Sequence, residues 1–392
     1  MDITDITTSE TTTGTTGGQA MREERVPIPA GETSAPREVR ILRFGAPGAR
    51  PKAYLQAGLH ADELPGMLVL KRLAETLAEA AARGEIVGEI VLVPVANPIG
   101  LAQETGEYVQ GRFDAGTGRN FNRGFPDLAA GVAEAVAGAL GDDADANVER
   151  IREAMRAHVR DLPRAEPVDH LQLALIGAAC DADLVLDLHA DNEAVAHMYT
   201  SAAAWPAMRD LAAEIDVRAV LLEDASGGEP FDESCAGPWP ALAERFPDAP
   251  IPPACLAATL ELRSNNSVDP GEAERWAGAI RRFLERRGVL SGAPGALPRL
   301  LCEPTPLRGA QQLKAGVHGL VVYHAQLGDT VRAGERIATV IPPEGPDETI
   351  EARTEGLLFA RHDQRWAWPG KVIGKIAGAE PLPERTGHLL TD

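Results

Sequence analysis

The chain has 392 residues, 44% of them hydrophobic, enough for one large domain and a smaller one with buried cores. Its formal net charge of -20 argues against nucleic acid or an anionic membrane as partner, since both select basic surfaces. No apolar run of about 18 residues marks a membrane span, and the four scattered cysteines (Cys180, Cys235, Cys255, Cys302) form no CxxC pair, which suits reduced cytoplasmic thiols that are neither ligand nor nucleophile.

The opening "MDITDITTSETTTGTTGGQAMREER" is rich in Thr and Gly and has little to bury. Residues 1–24 are therefore expected to be a disordered tail, with Met21 an alternative start, and they lack the basic-then-apolar order of a signal peptide. From residue 37 strand-like and helix-like segments alternate: "REVRILRF", "KAYLQAG", the helical "GMLVLKRLAETLAEAAARG" after Pro65, and "GEIVLVPVAN". The stretch "AAGVAEAVAGALGDDADANVERIREAMRAHVRDL" is helical with an acidic break and reads as a surface insertion. Then come "ADLVLDLHAD", a helix around "WPAMRDLAAEI", the strands "VRAVLLE" and "LAATLELRS", and the closing helix "PGEAERWAGAIRRFLERRGVL". Such alternation predicts an α/β domain, a mixed sheet covered by helices, over residues 25–292.

The Pro- and Gly-rich segment at 293–304 reads as a linker, and residues 305–392 change to short strands and turns. There "AGVHGLVVYHAQLGDTVRAGERIATV" repeats as "ARTEGLLFARHDQRWAWPGKVIGKI", aligning Gly319 with Gly356 and Ile337 with Ile373. Two β half-units, forming a second, smaller all-β sandwich domain, are the expected product. The pattern resembles a biotinyl/lipoyl-type domain, but the hairpin "IPPEGPDETIEA" has no Lys for a swinging arm.

Chemistry-bearing residues cluster at predicted strand ends. In "AGLHADELPG", His60 and Glu63 follow a strand at a Gly-led turn, where an open α/β sheet presents its ligand crevice. An isolated H-x-x-E is more often a solvated turn. His189, which ends the apolar strand "DLVLDLHA", supplies the third ligand of a zinc site with two His and one carboxylate. Asp187 of the same strand is given no role beyond support. Glu261, between Leu260 and Leu262, is a carboxylate in apolar surroundings and hence a candidate general base; the plainer alternative is an ion pair with Arg263. The loop "QGRFDAGTGRNFNRGFPD" carries Arg112, Arg119, Asn122 and Arg123, a solvated basic loop if read alone, or a carboxylate clamp and oxyanion donor beside a metal.

His60-x-x-Glu63, "NFNRGFP", "DLHAD" and "TLE", in this order, resemble the succinylglutamate desuccinylase/aspartoacylase family, a branch of the zinc carboxypeptidase superfamily, over residues 37–290. That resemblance implies His60, Glu63 and His189 as Zn2+ ligands, Glu261 as general base, Arg112 on the oxyanion side, and Asn122 with Arg123 as clamp for the substrate carboxylate. Arg119 could exchange roles with Arg112. Ala61 stands where the family often has Gly, a change the fold tolerates if that backbone is not left-handed.

The function expected is a zinc-dependent amidohydrolase that deacylates a small N-acyl amino acid, N-acetyl-diaminobutyrate being one option, in a chain that assembles as a homo-oligomer. A metallocarboxypeptidase would use the same residues in a more open cleft, with His318, Tyr323, His324 and Trp366 either lining a gate or serving as ordinary sandwich residues. A non-catalytic ligand-binding protein would show a broken metal set.

Overall fold

The computed structural model describes residues 9–13, 21–31, 35–387 and 389–390. The described residues fall into two compact units, the first within 1–189, 228–259 and 268–296 and the second within 190–227, 260–267 and 297–392.

The first unit is built on a mixed sheet. Its strands are β1 (Ser9–Thr13), β2 (Met21–Ile28), β3 (Arg37–Phe44), β4 (Lys52–Ala57), β5 (Glu89–Val93) and β6 (Leu184–Asp191, which enters the second unit at Ala190), in the spatial order β1-β2-β3-β5-β4-β6. Strand β4 runs parallel to β5 on one side and β6 on the other, with Gln56 beside Val93 and Ala57 beside Leu188. Every residue of β4 and β5 is buried, as expected of strands covered on both faces. Helix α1 (Pro65–Ala82) buries Val69, Leu70, Leu73, Leu77, Ala80 and Ala81, a stripe at helical spacing, and packs on the closing helix Pro270–Arg286.

Two expectations are corrected. Residues Met21–Glu24 of the expected tail lie in β2, and Ser9–Thr13 pair with Met21–Arg25; residues 1–8 and 14–20 lie outside the described residues. Strand β2 is held by charge pairs across to β3, Arg40 to Glu23 at 2.7 Å and Arg43 to Glu24 at 3.0 Å, so it needs no apolar run to be ordered. Nor is the helical stretch after residue 127 a surface insertion. It forms α2 (Leu128–Val136) and α3 (Ala144–Asp161), started by side-chain caps from Asp127 and Asp143, and with α4 (Pro167–Ala179) it puts Val132, Val136, Ile151 and Met155 into the main core.

The second unit contains two antiparallel sheets. One has the order Ala310–Lys314, Val372–Gly378, Gly356–Arg361, Thr330–Val331; the other has Glu348–Glu351, Arg336–Ile341, Gly319–Tyr323, Trp366–Ala367. The repeat is visible in the pairing: Gly319–Tyr323 lies antiparallel to Arg336–Ile341, as Gly356–Arg361 does to Val372–Gly378. Ile337 and Ile373 are both fully buried in the sandwich core. Tyr323 and His324 are engaged inside this unit, through Tyr323 Oη donating to Ile373 O and a 2.8 Å contact of His324 Nε2 with Thr339 Oγ1.

The units also divide the chain differently from a boundary at residue 292. Glu193–Ala194 pairs with Gly356–Arg361, and Ala219–Leu222 pairs with Pro304–Pro306, which draws 190–227 into the second unit. Among the described residues no helix is long and apolar enough to cross a membrane.

Leu73 is fully buried on the apolar stripe of α1. Leu73→Ala is expected to cost about 2–5 kcal/mol of stability, read as a lower midpoint in urea denaturation.

Candidate metal centre

The parallel pairing of β4 with β6 fixes the site. Because Ala57 lies beside Leu188, the residues just past the end of β4 come out next to His189. The chain leaves β4 through Gly58, whose φ of +70° suits glycine and whose α-carbon faces the Met67 side chain too closely for a Cβ. The amide of Asn97 donates to Leu59 O at 2.9 Å and pins this turn. Ala61 is not among the residues with positive φ, so its place in a position often held by Gly carries no backbone strain.

His60, Glu63 and His189 converge, all buried, with ligand atoms within 4.8 Å of one another. His60 Nδ1 lies 3.0 Å from Glu63 Oε1, and His189 Nδ1 lies 2.8 Å from Glu63 Oε2. Two imidazole nitrogens and a carboxylate in one buried spot form a donor set that suits zinc. The outer nitrogens are also held: His60 Nε2 is 2.9 Å from Asn120 Oδ1, and His189 Nε2 is 3.0 Å from Asp187 Oδ2. The Asn120 acceptor on His60 Nε2 favours the His60 tautomer that leaves the Nδ1 lone pair facing Glu63, the arrangement that supports a metal-binding histidine.

Electrostatics follows this geometry. Burial, and then the nearby Arg112, pull the pKa of His60 down to about 4, so its ring is neutral at ordinary pH. Burial opposes charge on His189 too, but the carboxylates of Asp187 and Glu63 outweigh it and hold its pKa well above the usual value. Glu63 is pushed up by burial yet held well below the carboxylate range by the two imidazoles.

Arg112 joins the cluster, with Nη1 3.1 Å from Glu63 Oε1 and 3.0 Å from His60 Nδ1. Its loop is pressed against the ligand turn: Ala61 N donates to Gly111 O at 3.0 Å, and any Cβ at residue 111 would overlap the Asp62 backbone. Arg119 does not reach the cluster. It is committed to Asp169 at 2.5 Å and Gln172 at 2.8 Å, an ion pair that ties the loop to α4. Asn122 Nδ2 lies 3.5 Å from His189 Nε2, and its carbonyl accepts from Phe231 N. Arg123 follows it, donating to Asn122 O and packing along Gly228. Glu261 lies in the second unit, partly buried on the strand Leu256–Ser264, where its charge acts on Lys375 and Tyr199.

Asn120 is the residue the sequence reading passed over, and Asp187 was given only a supporting part. Asp187 had a signal: it sits two positions before His189 on the same strand, and along a strand a separation of two means one face. The buried thiols play no part here; burial pushes Cys180 up to about 12.

With the geometry in place, comparisons extend the reading. Residues 49–158, which carry His60, Glu63, Arg112, Asn120, Asn122 and Arg123, match the model of the succinylglutamate desuccinylase/aspartoacylase catalytic domain. Among solved structures, a succinylglutamate desuccinylase/aspartoacylase family protein of Shewanella amazonensis is 25% identical, with a TM-score of 0.78 over 91% of this chain and 98% of that one. A second such protein, from Shewanella frigidimarina, is 24% identical, with a TM-score of 0.79 over 91% and 96% of the two chains. The ectoine utilization protein EutE (DoeB) of Ruegeria pomeroyi is 18% identical, with a TM-score of 0.65 over 94% and 98%. Among curated proteins none matches the chain.

If the outer-nitrogen contacts orient the ligands, Asp187→Asn and Asn120→Ala each weaken zinc binding about 10- to 100-fold, measured by competition with a chromogenic chelator. The match at residues 49–158 and the likeness of fold over nine-tenths of the chain together show the resemblance to the succinylglutamate desuccinylase/aspartoacylase family.

Proposed function

We propose that the protein is a zinc-dependent amidohydrolase that removes the acyl group from a small N-acylated amino acid. The observation that carries this reading is the buried His60–Glu63–His189 set with Arg112 beside it, two of the three ligands lying in the segment that matches a deacylase catalytic domain. Zinc, when bound by these three residues, supplies Lewis acidity toward the amide carbonyl and toward water.

The chain's own residues do the rest. Arg112, half-buried at the ligands, donates to the oxygen that becomes negative as water adds to the carbonyl carbon. Glu261 takes a proton from that water and delivers it to the amide nitrogen as the C–N bond breaks, leaving a carboxylate and a free amine. Asn122 and Arg123, on the loop that supports His189, hold the substrate carboxylate with neutral and charged donors. N-acetyl-diaminobutyrate is one of the candidate substrates.

The test is amine release from N-acetyl and N-succinyl amino acids, N-acetyl-diaminobutyrate included, beside dipeptides with free carboxyl ends, on protein of known metal content. About one zinc per chain with turnover confined to acylated amino acids is the expected outcome; cleavage of dipeptides would make the protein a carboxypeptidase instead. Glu261→Gln is expected to keep its zinc and lose about 10²- to 10⁴-fold in kcat. Retained turnover would remove Glu261 from the base role. Arg123→Met is expected to raise KM far more than it lowers kcat.

A further inference from the structure

Within the first unit, the sheet face that leads to the metal centre carries a row of polar side chains. Residues two apart on a strand share a face, so Tyr54 and Gln56 lie together on β4, and Val185, Asp187 and His189 lie together on β6. The parallel register sets Tyr54 beside Val185 and Gln56 beside Asp187, and residues paired this way present their side chains to the same side of the sheet. Tyr54, Gln56 and Asp187 are all fully buried. At one end of the row Tyr54 Oη donates to Gln56 Oε1 at 2.8 Å; at the other, Asp187 Oδ2 lies 3.0 Å from His189 Nε2. Between these contacts, among the described residues, Gln56 Nε2 has no acceptor and neither oxygen of Asp187 accepts a hydrogen bond.

We propose that Gln56 is a positioning residue of the metal centre, its amide N–H donating to Asp187 so that this carboxylate holds the ring of His189. The inference rests on the metal-centre reading and deepens it, extending the support of His189 from Asp187 back into β4. A buried amide donor and a buried carboxylate oxygen are each costly when unpaired, and here the two stand at one register position of adjacent strands. Tyr54 decides which end of the amide faces Asp187. Its hydroxyl occupies Oε1, which leaves Nε2 as the end available to the carboxylate; an amide turned the other way would set its oxygen against Asp187, and two acceptors repel. Burial, and then the charge of Asp187, hold the Tyr54 hydroxyl well above its usual pKa, so it stays protonated and keeps donating. The Tyr54 ring is itself packed against Phe231, with ring centres 5.5 Å apart. A carboxylate fixed by a donor on one oxygen does not turn about its Cβ–Cγ bond, and its other oxygen keeps its place beside His189 Nε2.

The experiment uses the full chain, with zinc affinity measured by chelator competition and ligand geometry by the visible absorption of the cobalt-substituted protein. Thermal unfolding is followed in parallel. Gln56→Met, which keeps the length of the side chain and removes the amide, is expected to weaken zinc binding about tenfold and to alter the cobalt spectrum. Tyr54→Phe frees the amide to turn, so it is expected to shift both readings in the same direction by less, and it decides the matter if Gln56→Met does not fold. Leu73→Ala, a core lesion outside this row, is expected to melt earlier with the cobalt spectrum of the wild type. The proposal is overturned if Gln56→Met and Tyr54→Phe bind zinc as tightly as the wild type with an unchanged cobalt spectrum, even if they melt earlier. It is overturned as well if Leu73→Ala alters the spectrum in the same way, since the effect would then be one of general destabilisation. A wild-type protein that takes up no zinc would overturn the metal-centre reading and this proposal with it, an outcome visible before any variant is compared.

Discussion

The register of one parallel strand pair underlies the rest of the site. With Ala57 beside Leu188, the turn after β4 and the end of β6 emerge together, and two histidines far apart in sequence reach one carboxylate. A shift of one residue in that pairing would turn the side chains of β6 to the opposite face and carry His189 away from Glu63. What fixes the register lies at the other ends of the strands. Buried Lys52, at the start of β4, is paired with Asp181, while its backbone N–H donates to Asp183 at 2.5 Å. Arg50, Arg152 and Arg156 complete this group, Arg50 and Arg152 reaching Asp183 and Arg156 reaching Asp181. Such partly buried charges add little net stability, but mispairing them is costly, which makes them suited to setting a register.

At the ligand end the charges are arranged for a cation. Glu63 is enclosed by two imidazoles and a guanidinium, and Asp187 backs His189 from the far side of its ring. Glu63 and Asp187 thus each lie beside a basic side chain, and His60 has an acceptor on its outer nitrogen. The strong net negative charge of the chain does not set this local balance: positive side chains are placed by the 111–123 loop, which is fastened at Gly111 to the ligand turn and at Arg119 to α4. Arg119 is therefore a loop anchor, while Arg112 is the arginine that lies beside Glu63 and His60.

The second unit adds a different kind of constraint. Its sandwich closes on its own repeat and core, and it holds residues that sequence order would assign to the hydrolase part, Asp191, Glu193 and Glu261 among them. A domain that looks appended in sequence therefore also takes in segments from the middle of the chain.

The candidate ligands His60, Glu63 and His189, and Arg112, were legible in the sequence because each sits at an apolar-to-polar transition that marks a strand end or a Gly-rich turn, where local pattern alone implies exposure to a crevice. The α/β alternation and the internal repeat were legible for the same reason: side-chain periodicity is a local property of the chain. The order of β2, held by Arg–Glu pairs with β3, was not, since charge pairing across strands leaves no apolar trace in one strand. Nor were the commitment of Arg119 to Asp169, the buried roles of Asn120 and Asp187, or the assignment of residues 190–227 to the second unit. Sequence alone determined which residues could bind a metal and on which kinds of element they lie. Tertiary structure decided which of them meet, because strand register and long-range ion pairing are set by contacts between residues too distant in the chain for any local pattern to record.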